Sequence, residues 1–149
     1  MYERIVVGTD GSDTAAMALE RAALLATMCG AHVHLVYGAG LPVASGGVAG
    51  FDALVALPPD AIEELEQKLE EQAGQLREAG LQVTTHLMQT NGAEAIVRVA
   101  TECEADLVVV GNRGMTGARR FFLGSVPNAV SHQAHCSVLV VRTDDRVPV

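Results

Sequence analysis

At 149 residues, 49% hydrophobic and 19% charged, the chain is long enough for one domain with a sizeable core and too apolar to stay disordered. A formal net charge of −8 excludes general nucleic-acid binding, which depends on clustered Lys and Arg, but leaves room for one anionic ligand held by backbone dipoles. Aromatic residues make up only 3%, with no Trp, so Val, Leu, Ile and Ala must build the core, as in a parallel sheet covered on both faces.

Met1 is followed by the polar Tyr2-Glu3-Arg4 and then a short apolar run, too short for a secretory h-region. No stretch approaches membrane-spanning length without a charge or a breaker. Cys29, Cys103 and Cys136 are far apart, without CxxC or zinc spacing, as expected of ordinary thiols in a reducing cytoplasm. A cytoplasmic protein with no nucleic-acid and no membrane partner is expected.

Arg4 to Thr9 is a nearly continuous apolar run, the pattern of a central parallel strand. Asp10-Gly11-Ser12-Asp13 supplies turn and N-cap residues for a helix running to Cys29, with Ala16, Leu19, Ala23 and Ala26 as its inward stripe and Gly30 closing it. His32 to Tyr37 is the second strand. Gly38 to Pro59 is a long Gly/Pro-rich connection, of the kind that forms a lid or stays disordered. Asp60 to Ala79 is the next helix, with Asp60 and Glu63 as a capping box and an apolar stripe through Ile62, Leu65, Leu69, Ala73 and Leu76.

Gln82 to Met88 alternates only in part, which predicts a strand at a sheet edge. Asn91 to Glu104 is a helix capped by Asn91 and Glu94, with Ile96, Val99, Ala100 and Cys103 facing inward. Asp106 to Gly111 is a second fully buried strand. Ser125 to Ala134 is a short helix that tolerates Pro127 in its first turn, and Ser137 to Arg142 is the last strand. Residues 1–143 thus form one α/β domain and 144–149 a C-terminal tail.

Alternating strands and helices demand an open, doubly wound parallel sheet with helices on both faces. Placing the two most hydrophobic strands, the first and fourth, at the centre yields the order 3-2-1-4-5. Ligands of such sheets bind at the carboxyl ends of the strands, where the strand order reverses. Two loops open there. One is Gly8-Thr9-Asp10-Gly11-Ser12. The other begins at Gly111 and has the form G-x2-G-x9-G-S, through Gly114 to Gly124 and Ser125.

Gly111 and Gly114 allow close approach of backbone to a ligand. Gly124, Ser125 and Val126 open a helix whose free N–H groups and dipole favour a phosphate, and the Ser125 hydroxyl can cap that helix or donate to a phosphate oxygen. Arg113, Arg119 and Arg120 bring positive charge to the intervening loop. Asp10, across the crevice, can accept from ribose hydroxyls or meet a phosphate-bound metal.

Val7-Gly-Thr-Asp-Gly-Ser12, Gly111-Asn-Arg-Gly114, Leu123-Gly-Ser-Val126 and Val138-Leu-Val-Val141 occur in the order and spacing of a universal stress protein. The chain resembles that family over nearly its whole length, in the branch whose G-x2-G-x9-G-S/T motif marks nucleotide binding. The resemblance implies an adenine nucleotide as ligand, ATP being favoured, with cyclic AMP and AMP as alternatives and Mg²⁺ accompanying ATP. It implies that Asp10, next to Thr9, contacts the ribose. Gly111 and Gly114 line the ribose and phosphates, Gly124, Ser125 and Val126 hold the phosphates, and backbone near Gly38 reads the adenine. It further implies a homodimer through Val138 to Val141, and an exposed apolar edge strand needs such cover on physical grounds. Tyr37-Gly38 and Arg113 depart from the more usual His-Val and His at those positions.

Other readings of the fold fail on named positions. A receiver domain needs an Asp at the end of the third strand, where Met88-Gln89 stands, and a dinucleotide oxidoreductase needs GxGxxG where Gly8-Thr9-Asp10-Gly11 stands. A hydrolase needs a base beside the phosphates, and Asp10 is the only acid the topology places there. His32, His34, His86, His132 and His135 are expected as surface or packing residues. The expectation is a nucleotide-binding stress or regulatory protein, not an enzyme, with at most slow hydrolysis. A dimeric interaction scaffold with a vestigial pocket is the alternative.

Overall fold

The computed structural model describes residues 1–42, 54–55, 57–112 and 123–143. Arg113, Gly114, Arg119, Arg120 and the 144–149 tail therefore lie outside the described residues.

The elements follow in the order β1 (Arg4–Gly8), α1 (Asp13–Cys29), β2 (His32–Gly38), β3 (Leu41–Pro42), β4 (Leu54–Val55), α2 (Pro59–Glu78), β5 (Val83–Met88), α3 (Gly92–Glu102), β6 (Leu107–Gly111), α4 (Ser125–Gln133) and β7 (Ser137–Val141). Five strands form one parallel sheet in the order β5-β2-β1-β6-β7, with four helices packed against it. This is the 3-2-1-4-5 order expected from the hydrophobicity of the strands. Ile5, Val6 and Val7 of β1 are fully buried, because a strand with neighbours on both sides and helices on both faces meets no water.

The pleat sends alternate residues to opposite layers. Ile5, Val7, Val33, Leu35, Leu107 and Val109 pack beneath α1 and α2. Val6, Val36, Val108 and Val110 pack beneath α3 and α4, against Ile96, Val99, Ala100 and Val130. The Asp106 carboxylate joins the amino ends of β1 and β6 by accepting the Glu3 and Arg4 amides at 2.8 and 3.3 Å.

Two local expectations are corrected. Helix α1 buries Ala15, Ala18, Leu19, Ala22 and Ala26, while Ala16 is exposed and Ala23 half-buried. Both stripes share Leu19 and Ala26, and a helix this rich in alanine has little hydropathy contrast to separate them. Helix α2 starts one residue earlier than expected. Pro58 is its N-cap and no side chain caps it, so Asp60 and Glu63 form no capping box. Pro59 has no N–H to satisfy and its φ is already helical, and Asp60 instead places its charge in the first turn, where the helix dipole favours it. Within the long connection expected as a lid or as disorder, Leu41–Pro42 pairs antiparallel with Leu54–Val55, and 43–53 and 56 lie outside the described residues.

Among the described residues no helix is long and apolar enough to cross a membrane.

Candidate functional site

At the carboxyl ends of β1, β2 and β6 the strands part around an open cleft lined by Gly8, Thr9, Asp10, Val36, Gly38 and Gly111. It lies where the chain turns from β1 outward to β2 on one side and to β6 on the other, the position at which doubly wound sheets take their ligands.

Thr9 and Asp10 form one wall. The Thr9 amide donates to the Val36 carbonyl at 2.9 Å, extending the β1–β2 ladder one step past the strand. The Thr9 side chain, 7% exposed, accepts the Gly11 amide at 3.2 Å and donates to Gln72 Oε1 of α2 at 3.4 Å. Gly11 completes the turn with φ +77, a conformation costly to any residue with a Cβ. Asp10 Oδ1 accepts the Ser12 amide at 2.9 Å and also the Ser12 hydroxyl, while Ser12 Oγ caps α1 by accepting the Ala15 amide at 3.2 Å. The carboxylate is thus held against the cleft by the same turn that starts the helix.

The opposite wall is built where β6 passes into α4. The Gly124 amide donates to the Asn112 carbonyl at 3.0 Å, bringing the two ends of the 113–122 segment together. Gly124 is the N-cap of α4 and Ser125 its first residue, and no side-chain hydrogen bond caps this helix. Ser125 therefore does not act as the cap. Asn112 Oδ1 accepts both the amide and the hydroxyl of Thr143, at 2.9 and 2.7 Å, which anchors the end of β7 beside the cleft.

The floor comes from β2 and α3. A Cβ on Gly38 would stand 2.6 Å from the Gly92 Cα, so the backbones of β2 and α3 touch only because position 38 is glycine. A Cβ on Gly8 would collide with the Ile96 side chain. Beyond Gly38 the Ala39 and Gly40 amides donate to the Met88 and Thr90 carbonyls at 2.7 and 2.8 Å, tying this rim to β5.

Of the residues expected from the sequence, Thr9, Asp10, Gly38, Gly111 and Val126 line the cleft. Gly124 and Ser125 flank it at the start of α4. Arg113 and Gly114 lie outside the described residues. Gly92 and Ile96 also line the cleft and were not expected, since α3 reads as a plain covering helix until the β2–β5 pairing brings its first turn to Gly38. The Asn91-Gly92 pair after a strand was the available signal.

Tyr37 stands close enough to Asp10 to feel its charge. Burial first, and the Asp10 carboxylate second, push the Tyr37 phenol above its ordinary value, so it stays protonated as a neutral donor. Among the described residues no group of three or more His, Cys, Asp or Glu side chains is arranged to hold a metal ion.

Residues 1–142 match the sequence model of the universal stress protein family. The chain belongs to the universal stress protein family. It is similar to the universal stress protein MJ0531 of Methanocaldococcus jannaschii, with 34% identity over 95% of this chain and 83% of that protein. Among solved structures it is similar to a universal stress protein in complex with cAMP, at 29% identity and a TM-score of 0.70, covering 95% of this chain and 98% of the other. It is also similar to the universal stress protein of Archaeoglobus fulgidus in complex with dAMP, at 29% identity and a TM-score of 0.65, covering 93% and 97%. Within this universal stress protein the switch-point cleft brings together backbone amides, a helix N-terminus and a fixed carboxylate.

Proposed function

We propose that the cleft binds an adenine nucleotide and that the protein acts through the bound state as a regulatory binding protein. The observation that carries this reading is the opposition of Asp10, fixed by Ser12, to the start of α4 across the switch-point cleft. Those two walls offer an acceptor for ribose hydroxyls and unpaired amides for phosphate, in the order a nucleotide presents them. Gly38 and the backbone after it form the rim left for the base. Two similar universal stress proteins have been crystallised with cAMP and with dAMP, which supports an adenine ligand. ATP is the favoured ligand here, with cyclic AMP and AMP as alternatives.

Binding without rapid turnover is the chemistry proposed. Among the described residues lining the cleft Asp10 is the only carboxylate, and its Oδ1 already accepts two hydrogen bonds from Ser12, which suits it to hold a ribose better than to activate water. A cytoplasmic homodimer completes the reading. β7 is an edge strand whose only sheet partner among the described residues is β6, and a second copy would cover its half-buried Val138, Leu139, Val140 and Val141.

Titration calorimetry with ATP, AMP and cyclic AMP, each with and without Mg²⁺, tests the proposal. Saturable one-site binding to at least one of them, weakened tenfold or more in Asp10→Ala, is expected. No heat and no thermal shift with any of the three would refute the nucleotide reading and leave a dimeric scaffold with an unused cleft. Sedimentation equilibrium decides the dimer separately.

A further inference from the structure

Three of the histidines gather at the β2–β5 edge. His32 and His34 are successive residues on one face of β2, and His86 lies on the same face of β5, where its strand partner is Val36. This is the α3 side of the sheet, shared with Val36 and Met88. The His32 and His34 rings stack with centroids 4.4 Å apart and an angle of 25°. His32 Nε2 meets the Thr84 hydroxyl at 2.8 Å, and His34 Nδ1 faces His86 Nε2 at 3.0 Å.

The His34 and His86 centroids are 5.3 Å apart, about the full sum of the nitrogen–nitrogen separation and the radii of the two rings. The two nitrogens therefore point at each other in line. That is a hydrogen bond with one shared proton, not two lone pairs converging on a metal. A proton on both facing nitrogens would set N–H against N–H.

The mechanical setting gives the contact its consequence. β5 is the outermost strand and pairs only with β2 among the described residues. On one face α2 holds it, through Leu69 and Ala73 near Val83 and Leu87. On the other face its bonds to β2 side chains are those of His86 and Thr84. β5 also leads directly to the cleft, since Met88 and Thr90 accept the Ala39 and Gly40 amides at the rim.

We propose that the His32–His34–His86 row is an acid-released latch: neutral imidazoles hold edge strand β5 against β2, and proton uptake frees β5 and loosens the rim of the cleft.

The surroundings set the sign. Burial chiefly, then the charges of His32, His86 and Arg4, lower His34 from 6.5 to about 4. Burial also lowers His86, opposed by Glu102 of α3 and assisted by His32. Arg4 from β1, His32 from β2 itself, His86 from β5 and Glu102 from α3 are the charged and titratable groups facing the latch, and only Glu102 favours a cation there. A histidine freed from the latch titrates near its ordinary value, so the open form binds the proton more tightly. Opening is flat above pH 6.5 and grows about tenfold per pH unit between there and pH 4.

Hydrogen exchange of the whole protein at pH 7.5 and 5.5, corrected for intrinsic rates, tests the latch. Protection of the Thr84 and His86 amides, which face β2, should fall about tenfold at pH 5.5 and should lie well below that of Val6 and Val7 in β1 at both pH values, as a local opening requires. His34→Leu, which keeps the bulk and cannot titrate, should remove most of that pH dependence, leaving only the part due to His86. His34→Gln, which cannot titrate and keeps a donor and an acceptor for His86, should do the same if the leucine variant folds poorly. Equal pH dependence in the wild type and in whichever variant folds, or β5 protection equal to that of β1 at both pH values, overturns the proposal. The coupling to the cleft rests on the nucleotide reading and is measured with cyclic AMP, whose affinity should drop at pH 5.5 in the wild type only. No binding of cyclic AMP, AMP or ATP at pH 7.5 refutes the nucleotide reading and leaves hydrogen exchange to decide the latch, whereas β5 opening with unchanged affinity overturns the coupling.

Discussion

Asn112 holds Gly124 with its carbonyl, at 3.0 Å, and through this one contact the last strand before the cleft is joined to the first residue of the α4 cap. The same residue's Oδ1 holds the Thr143 amide and hydroxyl, so a single asparagine fixes β6, α4 and the end of β7 relative to one another. Asn112→Ala leaves the buried Thr143 with two donors and no acceptor, at a cost of about 1–3 kcal/mol. Asn112→Asp keeps an acceptor at Oδ1 and should cost less. Urea unfolding of the three proteins gives the comparison, and an alanine variant as stable as the wild type would show that water replaces the asparagine at no cost.

Gly38 and Gly92 meet backbone to backbone. Gly38→Ala puts a methyl 2.6 Å from the Gly92 Cα and 2.7 Å from its nitrogen, neither of which can turn aside. A loss of about 1–3 kcal/mol is expected, with weaker nucleotide binding as α3 is pushed away from the rim. Gly92→Ala is the control, because its Cβ would meet only the Val126 side chain at an ordinary 3.5 Å. Thermal melts should rank the wild type and Gly92→Ala together, well above Gly38→Ala.

Much of this was legible from local pattern. Strand order followed from the unbroken apolar runs at Ile5–Val7 and Leu107–Val110, since only central strands can be apolar on both faces. The two cleft loops followed from that order. What stayed hidden depended on register. Gly92 reaches Gly38, and His34 reaches His86, only because β2 and β5 pair with Val36 opposite His86 and Gly38 opposite Met88. Nothing in either segment alone specifies that alignment. Asn112 was hidden for another reason: between the two glycines of the loop motif it reads as a variable position, yet its side chain carries the contact to Thr143.

The lowered affinity of His34 for protons makes global stability depend on acid. Its folded-state value lies below the unfolded one, so its neutral form adds no penalty above pH 6.5, and stability falls as pH drops from there toward about 4. His34→Leu, a buried replacement without charge, should be more stable than the wild type relative to their pH 7.5 difference by about 2 kcal/mol at pH 5. Urea midpoints at the two pH values give that number directly. Parallel curves for the two proteins would mean that His34 protonates in the folded state as easily as in the unfolded chain.

Gly11 and Gly74 both have open space where a Cβ would stand, yet alanine should act on them with opposite sign. Gly74 lies inside α2, where a glycine gives up backbone freedom that alanine has already lost, so Gly74→Ala should stabilise the protein by about 0.5–1 kcal/mol. Gly11 holds φ +77 in the turn that orients Asp10, a conformation that costs an alanine about 1–2 kcal/mol. That strain acts on the Thr9–Ser12 hydrogen bonds, so Gly11→Ala should lower nucleotide affinity as well as the melting temperature, whereas Gly74→Ala should raise the melting temperature and leave affinity unchanged. Melting curves and calorimetry on both variants separate backbone conformation from steric fit, because sterics alone predict no loss at either site.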